Sequence, residues 1–175
     1  SVCARVMTLW QRARHTAPPS REGRERIRIG IVSNHVHEHS VWNAFLKGIV
    51  LGIDPARFEL CIFSLGTLRD EQTALARQRA WAFVDDKWTL DEWVEAISAL
   101  APDALLYPEI GMDAMTTRLA SLRLAPVQLA AWGHPETTGL PTIDHYITAS
   151  DFEPPGCQMH YSEQVLALPG LGCSY

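Results

Sequence analysis

The sequence predicts an α/β fold, a doubly wound, Rossmann-like parallel sheet, and three observations point there. Short apolar runs rich in β-branched residues alternate with amphipathic helical stretches from residue 27 onward. The first of them, over 27–33, is a short β-branched run suited to a buried strand. The stretches between them are long enough for right-handed crossover helices.

The elements follow in order. Ile27-Arg-Ile-Gly-Ile-Val-Ser33 reads as the first strand. Val41, Phe45, Ile49 and Ile53 then recur at helical spacing, with Leu46 and Val50 beside them and Ser40 placed to cap the first turn. Phe58-Glu-Leu-Cys-Ile-Phe-Ser64 is the next strand, followed by a helix over about 70–80 and a short run over 82–85. Thr89, with Glu92 three residues on, fits a capping box for a helix over 91–100. Strands are expected at 104–107, 127–132 and 145–148, with a helix over 113–122 between the first two. Residues 1–25 read as a partial helix and linker, broken by Pro18, Pro19 and Gly23, and 26–175 as the folded domain.

Composition narrows the function. At 175 residues the chain can bury a full core without disulfides. Cys3, Cys61, Cys157 and Cys173 stand far apart, outside any CxxC pairing, and read as reduced thiols. Arginines dominate the first 28 residues, for a charge of +5, and the remainder carries −10. An acidic body argues against nucleic acid as partner, and the basic segment reads as a solvated linker. No stretch approaches the roughly 18 apolar residues of a membrane span, and no signal sequence opens the chain. A cytoplasmic protein is therefore expected, and the absence of an initial Met suggests a cut from a longer one.

Ligands of open parallel sheets bind beyond the carboxyl ends of the strands, so the loops over 34–39, 108–111 and 133–141 should crowd one edge and form the site. The first carries His35-Val-His-Glu-His39. If extended, its imidazoles would face one way and could hold zinc, with Glu38 or a distant carboxylate, as in a metal hydrolase. A single functional histidine is the simpler alternative, and His39, next to a helix start that favours anions, is the best placed. The last loop, Gly133-His-Pro-Glu-Thr-Thr-Gly-Leu-Pro141, combines a shaped backbone with hydroxyls at Thr137 and Thr138. His134 reads either as a site residue or as a satisfied loop histidine, and His145 as core. At the third loop Asp113 is a natural helix cap, while Glu109 reads equally as site or surface. Asp144 is expected to pin its strand. Trp42 and Trp132 adjoin the expected site and offer weak hints of sugar stacking. Neither a GxxxxGK[ST] phosphate loop nor a GxGxxG fingerprint is present, since Gly30 stands alone in its strand.

Taken together, the order of motifs resembles one known family. Arg28-Ile-Gly-Ile-Val-Ser33, His39-Ser-Val41, Leu119-Ala-Ser-Leu-Arg-Leu-Ala-Pro-Val-Gln128, Trp132-Gly-His-Pro-Glu-Thr-Thr-Gly139, Ile143-Asp144 and Tyr161-Ser-Glu163 are similar to segments of the O-GlcNAc transferase/SPINDLY glycosyltransferases. The related bacterial cytoplasmic N-glycosyltransferases share the Gly-His-Pro-x-Thr-Thr pattern. The resemblance implies the N-terminal Rossmann-like half of a GT-B enzyme, with the C-terminal donor-binding domain missing. It implies inverting transfer of a sugar from a nucleotide sugar, UDP-GlcNAc first, to a protein or peptide, without a metal or other cofactor. His39 matches the family's cleft histidine, a candidate base. Gly133, Pro135, Thr137, Thr138 and Gly139 match the loop beside the transferred sugar; His134 and Glu109 are further candidate contacts from the loop reading alone, since Tyr107-Pro-Glu-Ile stands where animal O-GlcNAc transferases have an Asn-rich loop. Asn43, where animal O-GlcNAc transferases carry a second histidine, leaves UDP-glucose and GDP-fucose open as donors. The alternatives are a non-catalytic protein-binding module of the same fold and the His-cluster metal hydrolase.

Overall fold

Seven parallel strands form a single sheet in the computed structural model of the chain, which describes residues 2–14 and 23–173. They are β1 (Ile27–Ser33), β2 (Phe58–Ser64), β3 (Ala82–Val84), β4 (Ala104–Tyr107), β5 (Val127–Ala131), β6 (His145–Ala149) and β7 (Gln164–Leu168), in the spatial order β3-β2-β1-β4-β5-β6-β7. The expected doubly wound sheet is thus the observed one. The strand order reverses between β1 and β4, and that reversal fixes where a ligand crevice opens in an α/β sheet.

Both faces of the sheet are covered. On one, Val32, Phe63, Leu105, Tyr107 and Tyr146 pack with α4 (Leu90–Leu100), α5 (Ala114–Ala120) and the buried Ala4 and Met7 of α1 (Val2–Arg14). On the other, Ile31, Leu60, Ile62 and Leu106 meet α2 (Lys47–Gly52), the Trp42–Leu46 segment before it, and Ala76 of α3 (Glu71–Arg79). Each large apolar side chain buried in this way contributes about 1.5–3 kcal/mol. Gly30 sits where β1 is most crowded: a Cβ there would lie 2.5 Å from Leu105 Cδ2.

The helices start where their caps direct. Thr89 and Glu92 form the expected capping box, Asp113 caps α5 by accepting from Thr116 N at 2.8 Å, and Asp70 and Thr73 make a further capping box for α3. Asp144 pins β6 as expected, accepting from Gln128 N and pairing both carboxylate oxygens with Arg123.

Other expectations are corrected. Ser40 caps nothing: residues 40–52 are helical, with a π-helical turn at Trp42–Leu46, and the role passes to His39. The basic segment is solvated only in part, because Arg24 pairs with Asp103 and both Arg26 and Arg28 pair with Glu59. Arg28 also lies over the Trp81 ring, 4.3 Å from its centroid. The linker expected around Pro18 and Pro19 falls outside the described residues, while α1 docks on the sheet's cover, with Gln11 hydrogen-bonded to Arg123 at both its amide and carbonyl. The strand β7 and the 3-10 turn Cys157–His160 were not expected. Cys3, Cys61, Cys157 and Cys173 are all free thiols. No described helix is long and apolar enough to cross a membrane.

Candidate functional site

The loops after β1, β4 and β5 meet beyond the carboxyl ends of the strands, at the point where strand order reverses. Asn34 N donates to Glu109 Oε1 at 2.7 Å, joining the first loop to the second. Gly133 joins the third: a Cβ on it would lie 2.5 Å from the Pro108 carbonyl oxygen and 3.3 Å from Val41 Cγ1. His134 in turn lies against Gly111, whose added Cβ would stand 3.0 Å from the imidazole Cδ2. A concavity of about 620 Å³ lies elsewhere, between α2 and the segment from Leu168 to Cys173. The candidate site is an open ledge.

His39 is half-buried at the head of the helical stretch. Its Nδ1 accepts from Val41 N at 3.2 Å, and its carbonyl accepts from Asn43 N at 2.9 Å. An imidazole whose Nδ1 accepts carries its neutral-form proton on Nε2, so His39 offers a single donor. His35 stacks on it, with ring centroids 3.8 Å apart and planes 9° from parallel. Burial, then the neighbouring His39 and His37, pushes His35 down to about 4. Burial and His37 lower His39 as well. Lone pairs in two stacked planes do not converge on one ion, and no metal-binding group of three or more side chains occurs among the described residues. The geometry therefore does not assemble the zinc site that the three histidines suggested.

Glu109, expected to contact ligand or solvent, does neither. It is wholly buried, with Oε1 taken by Asn34 N and Oε2 without a partner among the described residues. Burial pushes its carboxyl up to about 8. Trp42 and Trp132 are likewise withdrawn from the ledge. Trp42 is fully buried with Nε1 donating to Gln72, and Trp132 packs edge-on against Phe45 and Phe152.

The loop over 133–139 is held from β7. Glu163, 2% exposed, accepts from Thr137 Oγ1 at 2.8 Å, from Thr138 N at 2.9 Å and from the Thr138 hydroxyl. Ser162 Oγ accepts from Gly139 N at 3.2 Å, and Tyr146 Oη donates to the His134 carbonyl at 2.9 Å. The hydroxyls of Thr137 and Thr138, expected to face a ligand, are committed to Glu163. Exposed on this loop are Pro135, Glu136, Thr137 and Gly139, the last with φ of +61°. Glu163 is thus a functional-loop residue that sequence reasoning placed in a motif but not in the site. Its signal was a carboxylate next to a serine just before an apolar run.

With this geometry in place, comparison with known proteins becomes informative. The probable UDP-N-acetylglucosamine--peptide N-acetylglucosaminyltransferase SPINDLY of Petunia hybrida is 29% identical over 175 residues, covering 94% of this chain. The Arabidopsis thaliana protein of the same description is 28% identical over 157 residues, or 85% of the chain. The resemblance to the O-GlcNAc transferase/SPINDLY family holds. A UDP-glucose:protein N-beta-glucosyltransferase of Actinobacillus pleuropneumoniae is 37% identical over 79 residues, 45% of the chain and 12% of that protein. The chain spans 18% and 17% of the length of the two SPINDLY relatives. No family profile matches the sequence. Among solved structures, a K341M mutant of the Thermobaculum terrenum O-GlcNAc transferase superimposes with a TM-score of 0.80 at 24% identity, over 97% of this chain and 34% of that one. That likeness establishes the Rossmann-like fold.

Proposed function

We propose that this chain is the acceptor-side half of a GT-B protein glycosyltransferase, inverting and metal-independent, that moves GlcNAc or a similar sugar from a nucleotide sugar to a protein or peptide. The observation that carries this reading is that the similarity to the SPINDLY relatives runs through nearly the whole chain, while the loops that hold His39 and residues 133–139 meet beyond the carboxyl ends of the strands near the switch point. In this reading residues 26–175 together with the docked α1 form the domain, and a second Rossmann-like domain in the longer protein grips the nucleotide. The setting is the cytoplasm of a bacterium, with neither membrane nor nucleic acid as partner.

Inverting transfer needs an acceptor nucleophile in line with the anomeric carbon, a group to receive its proton, and cationic or amide groups for the departing diphosphate. The ledge supplies the positioning. Gly139, with open space around it, allows close approach of a sugar to backbone, Gly133 lets the loop close on Pro108, and His134 closes one end against Gly111. The neutral His39 fits a donor that holds a ligand oxygen through Nε2–H, better than a base, because its other nitrogen is occupied by Val41 N. The diphosphate grip falls to the second domain.

The test is sugar transfer from UDP-GlcNAc, UDP-glucose and GDP-fucose to peptide acceptors. The 175-residue chain alone is expected to transfer nothing and the longer protein to transfer one of these sugars. Turnover by the chain alone would overturn the half-site reading. A longer protein with no affinity for any nucleotide sugar would favour the non-catalytic binding module.

A further inference from the structure

Glu109 is a buried carboxyl with one free oxygen, placed between the two strands where the sheet reverses. We propose that Glu109 is a positioning residue, which clamps the start of the histidine loop through Asn34 and so sets His35 in its stack on His39. The clamp has three parts. Asn34 N donates to Glu109 Oε1 at 2.7 Å. The Ser33 Oγ accepts from His35 N at 3.0 Å. The next ring contact along the loop is the 3.8 Å stack of His35 on His39. A single side chain just beyond β4 thereby holds Asn34, the residue that precedes His35.

The environment dictates the form in which Glu109 does this. The titratable group that acts on it is Asp113 at the head of α5, which acts on His35 as well. Among the described ion pairs none involves Glu109, so no cation offsets a charge there. An ionised carboxylate this deeply buried, with no cation beside it, is strongly disfavoured. The acid form leaves Oε1 as acceptor and carries the proton on Oε2, and burial keeps that form to about pH 8.

This inference deepens the reading of the ledge as a glycosyltransferase site and rests on it for its consequence in catalysis. Its test uses the ligand-free 175-residue chain, so a failure here leaves the proposed activity untouched, and the reverse. The readout is ¹H–¹⁵N NMR of the His35 and His39 imidazoles and of the Ser33 and Asn34 amides in wild type, Glu109→Gln and Glu109→Met. Glutamine keeps an oxygen acceptor and the neutral charge; methionine fills similar space and accepts nothing comparable. We expect Glu109→Gln to retain the wild-type ring signals and Glu109→Met to shift them. In wild type the Ser33 and Asn34 amides should show an inflection near pH 8 that Glu109→Gln lacks. Equal ring signals in both variants, or a wild type without that inflection, would overturn the proposal. Should Glu109→Met fail to fold by circular dichroism, the wild-type and Glu109→Gln titrations decide it.

Discussion

Glu163 and Thr138 are joined twice, since Glu163 Oε1 accepts from the Thr138 backbone N at 2.9 Å and from the Thr138 hydroxyl as well. Thr137 adds a third donor to the same carboxylate. Burial alone would raise this carboxyl, but the hydrogen bonds from Thr138 and Thr137 outweigh burial and hold it below the ordinary carboxylate value. Its folded value is depressed, so its contribution to stability is present above the ordinary carboxylate range and is lost as pH falls through the folded value. Glu163→Ala should destabilise the chain by about 1–3 kcal/mol at neutral pH, with a smaller difference in acid. Urea unfolding at both pH values checks this, and equal midpoints for wild type and variant at neutral pH would show that the clamp is energetically idle.

His39 is expected to stay neutral at pH 7 with its proton on Nε2. In the longer protein, removing that donor by His39→Ala should lower kcat about 10²-fold, as loss of one preorganised donor does. His39→Gln, which retains an N–H donor, should recover part of the rate. An unchanged rate in His39→Ala would remove this residue from the mechanism.

Gly133 predicts a steric effect. A methyl group at this position meets the Pro108 carbonyl at 2.5 Å, and backbone on both sides cannot yield by a rotamer change. Gly133→Ala should cost about 1–3 kcal/mol, the usual range for overpacking. The amide signals of residues 108–111 should move with those of 133–139. A variant as stable as wild type, with unshifted amides at 108–111, would show that the two loops are not in contact in solution.

Much of the fold was legible because local signals agreed with the global one. The apolar runs at 27–33, 58–64, 104–107 and 127–132, and the caps at Thr89 and Asp113, each specify an element without tertiary information. The end of the chain was not legible, because Gln164–Leu168 is a five-residue strand at the sheet's edge, mostly exposed, with little periodicity to read. At the site, sequence reasoning placed the loops but not the hydrogen bonds their side chains make within the fold. Glu109 faces inward, and Thr137 and Thr138 bind a carboxylate from a distant strand. Partners chosen across such a separation leave no trace in local spacing. The cap at Ser40 failed for a related reason: a histidine nitrogen one residue earlier took the amide at Val41.

The tie between Glu163 and the loop over 133–139 also orders assembly in time. The loop is synthesised before β7, yet the carboxylate that shapes it stands just ahead of that strand. A nascent chain that has completed β6 holds most of the sheet but not this clamp. The ledge therefore acquires its final contour only when the last strand is laid against β6, which makes pairing at the sheet's edge the closing step in building the site.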